Sequence, residues 1–249
     1  MLRLVAIAQA RADSSRLPGK VLMPAGGMPV LAQVVRRAKA IPGIADVCVA
    51  TSDRSVDDVV ALAGAAAGAV VFRGAADDVL SRYVGAANFL QADIVMRLTC
   101  DCPLLDPNLC SEVAVLREKN EADYASNVEI PLWPHGLDCE VFTKKALETA
   151  QANAETLADR EHVTPWMRRA AFLKRVHLPG PGGDLAMQRW TLDYPEDYAL
   201  VKHVLDAFSV NSQIPGWRSV VEYLQKNPDV AALNAMRRDP ARARMPDIK

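Results

Sequence analysis

The chain has 249 residues, and its 29 lysines and arginines nearly balance its 30 aspartates and glutamates, for a formal net charge of -1. A general binder of nucleic acid or membrane surfaces needs excess basic residues to neutralise phosphates, so this balance argues against both classes. Hydrophobic residues make up 50% of the chain, yet no run approaches the roughly 18 apolar residues of a membrane span. We therefore predict a cytoplasmic globular protein, large enough to bury a core.

In chain order, the first 120 residues alternate short apolar runs with helical patterns. The runs predict buried strands at residues 2–8, 47–51, 69–72 and 94–98, and the helical patterns lie at residues 29–40, 56–67, 78–90 and 107–118. Strand and helix alternate four times, which predicts a parallel α/β sheet with right-handed crossovers.

Beyond residue 120 the alternation loosens. Further strands are predicted at residues 123–127, 139–142, 173–177 and 188–192, and further helices at 144–152, 156–170, 195–208 and 219–224. A polar, proline-containing excursion covers residues 130–138, and irregular segments of this kind often carry substrate contacts. The sequence shows no internal repeat and no low-complexity linker, which favours one continuous domain.

The loop after the first strand is rich in cations and hydroxyls. Ligands of open parallel sheets bind at the carboxyl ends of the strands, where this loop begins. Arg11, Arg16 and Lys20 could make charge-assisted contacts to a polyphosphate, and Ser14 and Ser15 add hydroxyls. The loop contains neither a Walker motif nor a G-x-G-x-x-G fingerprint. The alternative is a solvated basic loop.

Three carboxylates stand where predicted strands end and helices begin. Asp101 follows the fourth strand and is a natural Mg²⁺ ligand opposite a triphosphate, although it could instead cap the next helix. Asp106 directly precedes Pro107, and there we favour a helix cap. Asp193 follows the run at 188–192, and the residues alone leave a metal ligand and a helix cap equally open.

The five cysteines predict reduced thiols, because their number is odd and most stand in apolar runs. Cys100 and Cys102 have the spacing of a metal pair but lack the second pair that a zinc site needs.

Several segments, in order along the chain, together resemble the CMP-sugar synthetases, the family of 3-deoxy-manno-octulosonate and acylneuraminate cytidylyltransferases. The segments are ARADSSRLPGK (10–20), FRG (72–74), DVLSRY (78–83), RLTCDCPL (97–104), GLDCEV (136–141), REHVTP (160–165) and TLDYPEDY (191–198). The similarity is greatest to the branch typified by the spore coat polysaccharide biosynthesis protein F.

This resemblance implies a nucleotide-diphospho-sugar-transferase-like fold, in which a mostly parallel, Rossmann-like α/β sheet lies between helices. It implies Mg²⁺-dependent transfer of CMP from CTP to a sugar acid or related acidic acceptor, with release of pyrophosphate, for surface polysaccharide synthesis. Related synthetases are commonly dimers. We predict one domain over residues 1–249, with a nucleotide-binding half (1–120), an acceptor-binding half (121–210) and a C-terminal helical tail (211–249).

The resemblance also implies roles for individual residues. The triphosphate would be held by Arg11, Ser14, Arg16 and Lys20, and catalysis would depend on Arg11, Arg16, Lys20 and Asp101. The base and ribose would contact Ala8, Gln9, Ala10, Arg73 and Thr99, and the metal would be shared by Asp101 and Asp193. In one departure from the pattern, Cys100 stands where the family usually has glycine.

Acceptor-binding candidates come from the segments expected to cover the carboxyl edge of the sheet. They are Arg82, Asn127, His135, Asp138 and Glu140. His135 could act as a general base or be an ordinary surface residue. The run from Arg160 to His162 lies on a predicted helix and fits an ion-paired surface or a dimer contact as well as a substrate contact.

Two functions of other classes remain open on the sequence. A glycosyltransferase of the same fold would use a nucleotide sugar, but such enzymes usually carry an Asp-x-Asp pair and residue 103 is proline. A non-catalytic nucleotide-binding module of a polysaccharide locus would bind CTP without turnover.

Overall fold

The computed structural model of the chain describes residues 2–209 and 214–239, and its centre is a seven-stranded sheet. Part of the predicted tail, residues 211–213 and 240–249, lies outside the described residues. The strands are β1 (Leu4–Gln9), β2 (Pro24–Ala25), β3 (Met28–Pro29), β4 (Asp46–Ser52), β5 (Val70–Gly74), β6 (Ile94–Thr99), β7 (Tyr124–Ser126), β8 (Glu140–Thr143) and β9 (Arg175–His177). Strands β2 and β3 form a separate small hairpin.

The strand order in the sheet is β5-β4-β1-β6-β8-β7-β9. From β5 to β6 all neighbours are parallel, as predicted, whereas β8 runs antiparallel to both β6 and β7. Through the β6–β8 pairing, the sheet continues from the first half of the chain into the second.

Helices cover both faces of this sheet. They are α1 (Val30–Lys39), α2 (Asp58–Ala66), α3 (Val79–Phe89), α4 (Pro107–Lys119), α5 (Lys144–Asn153), α6 (Leu157–His162), α7 (Pro165–Arg169), α8 (Gly183–Ala186), α9 (Pro195–Ser209), α10 (Trp217–Lys226) and α11 (Pro228–Ala232). None of the described helices combines the length and apolarity needed to cross a bilayer. The cap predicted for α4 is confirmed, because Asp106 Oδ1 accepts hydrogen bonds from the amides of Asn108 (2.8 Å) and Leu109 (3.2 Å).

The core has one layer on each side of β1. Ala6 and Ala8 pack with α1 and α4, whereas Val5 and Ile7 pack with α3 and α5. A strand buried on both faces reads as a continuous apolar run, which is why it was visible in the sequence. All five cysteines are buried and unbridged, as predicted.

Two predicted elements are wrong. The helix predicted at 156–170 is divided into α6 and α7 at Val163, whose φ is 70°. Pro165 has no amide hydrogen to donate to the carbonyl four residues earlier, and its ring would clash with that carbonyl, so one helix cannot run through it. The strand predicted at 188–192 contains only one isolated bridge, between Arg189 and His135. Instead of entering a ladder, the Leu192 amide donates to the Asp101 carbonyl at 2.7 Å. This bond brings the segment before residue 193 against the end of β6.

Gly136 allows the excursion at 130–138 to approach the segment that leads to residue 193. Its φ is +112°, and an added Cβ would lie 2.5 Å from the Trp190 carbonyl carbon and 2.6 Å from the Thr191 nitrogen. Both neighbours are backbone, so they cannot rotate away. Backbone conformation and close contact therefore both require glycine here.

We predict that Gly136→Ala lowers the free energy of unfolding by about 2–4 kcal/mol, measured by urea denaturation. Gly43→Ala is the control, because Gly43 also has positive φ (+83°) but an added Cβ would meet nothing within 4 Å. Its cost should be about 1 kcal/mol, from backbone conformation alone. Equal losses in the two variants would contradict the close approach at Gly136.

Candidate active site

A cleft of about 270 Å³ lies at the carboxyl ends of β1 and β6. It brings together most of the predicted nucleotide and metal residues, together with one predicted acceptor residue. Those that line it are Gln9, Ala10, Arg11, Ser14, Arg16, Lys20, Arg82, Thr99, Asp101 and Asp193. The position agrees with the rule that open parallel sheets bind ligands beyond the carboxyl ends of their strands.

Lys20 joins three distant parts of the chain. It begins a short 3-10 turn after Gly19, whose φ of +70° favours glycine. Its Nζ donates to Asp101 Oδ2 (3.2 Å), to Asp193 Oδ1 (3.0 Å) and to the Leu192 carbonyl (2.8 Å). Burial would lower the pKa of Lys20, but the charges of the two aspartates outweigh it and raise the pKa. The ammonium is therefore charged at neutral pH although only 9% of the residue is exposed.

The two carboxylates opposite Lys20 are ionised. Burial would raise the pKa of these carboxyl groups, but the positive charge of Lys20 outweighs this effect and lowers the pKa of both Asp101 and Asp193. Asp193 is also bound by Arg16 Nη2 at 2.8 Å and Arg189 Nη2 at 3.0 Å. Its oxygens thus accept hydrogen bonds from cationic side chains that converge on the cleft.

This pair of carboxylates suits a hard divalent cation. Among the described residues, no group of three or more His, Cys, Asp or Glu side chains forms a metal site. Mg²⁺ is commonly held by one or two carboxylates together with substrate phosphates, so Asp101 and Asp193 fit this ion. Burial raises the pKa of the Cys100 and Cys102 thiols, so both are protonated in the metal-free protein.

A buried network fixes the position of Asp193. Asp197 at the start of α9 accepts two hydrogen bonds from Arg189, both of 2.9 Å, and one from Asn234 Nδ2 at 2.8 Å. It also accepts the backbone amides of Asp193 (3.0 Å) and Tyr194 (3.1 Å). Sequence reasoning missed Arg189 and Asp197, although both lie within four residues of Asp193.

The first loop is anchored at its base and exposes its cations. The Ala12 amide donates to Asp57 Oδ1 at 2.7 Å, and the Gly19 amide donates to the Ala12 carbonyl at 2.9 Å. The side chains of Arg11 and Arg16 are each about half exposed and line the cleft. The loop therefore presents long cationic side chains from a fixed base, an arrangement that suits the binding of an anion.

Two of the residues expected at the base and ribose do not reach the cleft. Ala8 is fully buried within β1 and packs in the core. Arg73 lies on β5, two strands from β1, where its guanidinium binds Asp58 (2.6 Å) and the carbonyls of Ser52 and Arg54. These contacts hold the edge of the sheet, so the structure does not place Arg73 beside the other nucleotide residues.

Four of the five acceptor candidates also lie outside the cleft lining. Asn127 is buried and binds the main chain of Cys139 and Leu137, both at 2.8 Å. His135 Nε2 lies 3.7 Å from Asp138, and its Nδ1 is 3.2 Å from Arg189 Nη1. These three residues hold the excursion at 130–138 in place.

Glu140, the fourth candidate, is 1% exposed, and its oxygens are occupied by side chains beneath the cleft. Arg97, Arg168 and the Tyr124 hydroxyl all donate to it. The structure instead brings Arg97, Glu161 and His162 to the cleft. Arg97 could have been found from the period of two along β6, which puts it on the same face as Thr99.

A mostly parallel sheet with paired carboxylates and clustered cations at its carboxyl edge defines an α/β protein equipped to handle nucleoside phosphates. The family model described as Cytidylyltransferase matches residues 5–207. The chain belongs to the cytidylyltransferase family and is a nucleotidyltransferase, which confirms the family resemblance seen in the sequence.

The similar proteins cover between 73% and 93% of the chain. It is 32% identical to the spore coat polysaccharide biosynthesis protein SpsF of Bacillus subtilis over 232 residues, 90% of this chain and 95% of that protein. It is 31% identical to a 3-deoxy-manno-octulosonate cytidylyltransferase of Anaeromyxobacter over 197 residues, 73% of this chain and 79% of the relative. The structure of a cytidylyltransferase from Leptospira borgpetersenii superposes with a TM-score of 0.87 at 30% identity, covering 93% of this chain and 97% of the other.

We predict that Asp197→Asn destabilises the protein by about 3 kcal/mol in urea denaturation, because it removes a charge from a buried pair and leaves Arg189 under-compensated. The control is Glu196→Gln on the same turn, where the ion pair with Arg237 is exposed and should be worth at most about 1 kcal/mol. Losses of similar size in both variants would contradict a supporting role for Asp197.

Proposed function

We propose that the protein transfers CMP from CTP to a sugar acid or related acidic acceptor, with Mg²⁺ and with release of pyrophosphate. The observation that carries the proposal is the cleft in which Lys20 faces Asp101 and Asp193 beside the cationic first loop. The names of the similar proteins, which include a 3-deoxy-manno-octulosonate cytidylyltransferase, support CTP as donor and a sugar acid as acceptor.

The first loop and the end of β1 would bind the nucleotide. Arg11, Arg16 and the hydroxyl of Ser14 would contact the triphosphate, since they line the cleft from an anchored loop. Gln9 supports a preference for cytosine: its Oε1 is buried without a hydrogen-bond partner among the described residues. The amino group of cytosine is a donor that this oxygen needs, whereas uracil offers a carbonyl at the same position. Ala10 and Thr99 would complete the base and ribose contacts.

Asp101 and Asp193 would hold Mg²⁺. When bound there, the ion would neutralise negative charge on phosphate oxygens. Lys20 and Arg16 would stabilise the departing pyrophosphate, because both already bind carboxylate oxygens at this position. An acceptor oxygen would attack the α-phosphorus in line with the leaving group. Such a transfer requires positioning and charge stabilisation, so no nucleophilic side chain is needed.

The donor can be tested by pyrophosphate release from CTP, UTP, GTP and ATP with Mg²⁺ and a panel of acids that includes 3-deoxy-manno-octulosonate and N-acetylneuraminate. We expect turnover with CTP. Turnover with only a purine nucleotide would contradict cytidylyl transfer. Sugar transfer from a nucleotide sugar without pyrophosphate release would identify a glycosyltransferase instead.

We predict that Lys20→Met and Asp101→Asn each lower kcat/KM for CTP by about 100-fold or more, because each removes charge stabilisation from the reacting phosphates. Lys202→Met is the matched control, since Lys202 is an exposed lysine that pairs with Asp206 on α9. It should keep full activity. If Lys20→Met were as active as Lys202→Met, the central role of Lys20 would be wrong.

A further inference from the structure

Arg82 is largely buried, and no acid of the described residues forms a salt bridge with it. It lies in the first turn of α3 and lines the cleft, yet only 4% of the residue is exposed. Among the described residues it forms no salt bridge, and its Nε has no hydrogen-bond partner. Burial lowers the pKa of Arg82, but a guanidinium stays protonated in proteins. An unpaired buried charge is costly, so this residue is expected to meet an anion in the working enzyme.

Acids near Arg82 do not fill this role. Asp53 and Asp57 influence its charge only from beyond salt-bridge distance. Asp57 is already bound by the Ala12 amide and the Ser52 hydroxyl, which anchor the first loop. Within residues 2–209 and 214–239, no acid pairs with Arg82, which favours an anion from a molecule in the cleft.

Arg97 is a second arginine of the cleft whose guanidinium is only partly hydrogen-bonded by the described residues. Its Nη1 donates to Glu140, while its Nε has no hydrogen-bond partner within the part of the chain that the structure describes. Glu140 is shared, because Arg168 Nη2 binds it at 2.6 Å and Tyr124 donates to it as well. One carboxylate thus faces two guanidinium groups, which leaves this cluster with a net positive charge. Burial would raise the pKa of Glu140, but the positive charges of Arg97 and Arg168 outweigh this effect and lower the pKa to about 2.

The two arginines lie on one face of the sheet. Arg97 is paired in register with Ile7 of β1, and Ile7 packs against Leu80 and Tyr83 of α3. Neighbouring residues of paired strands point to the same side. Arg97 therefore lies on the face that α3 covers, and both guanidinium groups reach the same cleft.

We propose that Arg82 and Arg97 bind the carboxylate of the acceptor and that Glu140 is the residue that positions Arg97. The inference rests on the proposed cytidylyl transfer. The first loop and Lys20 already supply three cations for the phosphates, and the in-line reaction puts the acceptor on the side away from the leaving pyrophosphate. A planar carboxylate matches guanidinium donors in pairs. A neutral sugar would leave Arg82 unpaired, so this subsite selects acids.

The kinetic test measures KM separately for CTP and for 3-deoxy-manno-octulosonate by pyrophosphate release. Arg82→Met and Arg97→Lys should each raise KM for the acid by about tenfold or more, the effect of losing a charged hydrogen bond, with KM for CTP within about twofold. Glu140→Gln should raise KM for the acid as well, through Arg97. Arg175→Gln is the control, because Arg175 pairs with Glu129 on the surface. A rise in KM for CTP, with KM for the acid unchanged, would overturn the subsite.

A second measurement needs no acceptor. Replacing an unpaired buried charge by an apolar side chain of similar length should stabilise the ligand-free protein, so Arg82→Met should raise Tm by about 2 °C or more. An arginine with a structural role would give a lower Tm on replacement, and that result would overturn the proposal. If no acid were turned over while Arg82→Met still raised Tm, the proposed reaction would fail but the anion subsite would stand.

Discussion

The fold of the site depends on one buried ammonium group. Lys20 Nζ binds carboxylates from two segments that are 81 and 173 residues away in sequence. Without this cation, Asp101 and Asp193 would repel each other in a partly buried cleft, and with it both are ionised at neutral pH. The same contact ties the first loop to the end of β6. Lys20 therefore links the first loop to the two carboxylates of the cleft.

The second half of the chain contributes residues that hold the site residues in position, besides those that contact Lys20 directly. The Leu192 amide binds the Asp101 carbonyl, and Gly136 lets the excursion pack against the preceding residues. Asp197 then holds Arg189, which in turn holds Asp193. Glu140 has the corresponding role for Arg97 beneath the other part of the cleft. In both places a buried acid orients an arginine, and polar groups fixed in advance spend no free energy on reorganisation during reaction.

The sequence allowed prediction of the sheet's first half and of the first loop, because buried parallel strands are continuous apolar runs followed by polar loops. Contacts that depend on which face of a strand a side chain occupies were harder to predict. Arg73 was expected at the nucleotide but turns to Asp58 at the edge of the sheet. Arg97 was overlooked, although the period of two along β6 puts it on the same face as Thr99. The run at 188–192 has strand-like composition, but its amide at Leu192 binds a loop carbonyl, a tertiary contact that no periodicity reveals.

A double-mutant cycle on Lys20 and Asp193 tests the central claim most directly. It compares kcat/KM for CTP in the native protein, Lys20→Met, Asp193→Asn and the double variant. Residues that act as one unit have strongly non-additive effects. If Lys20 and Asp193 form one reacting centre, the double variant should be within about threefold of the slower single variant. Losses that multiply would show independent roles and would contradict the account.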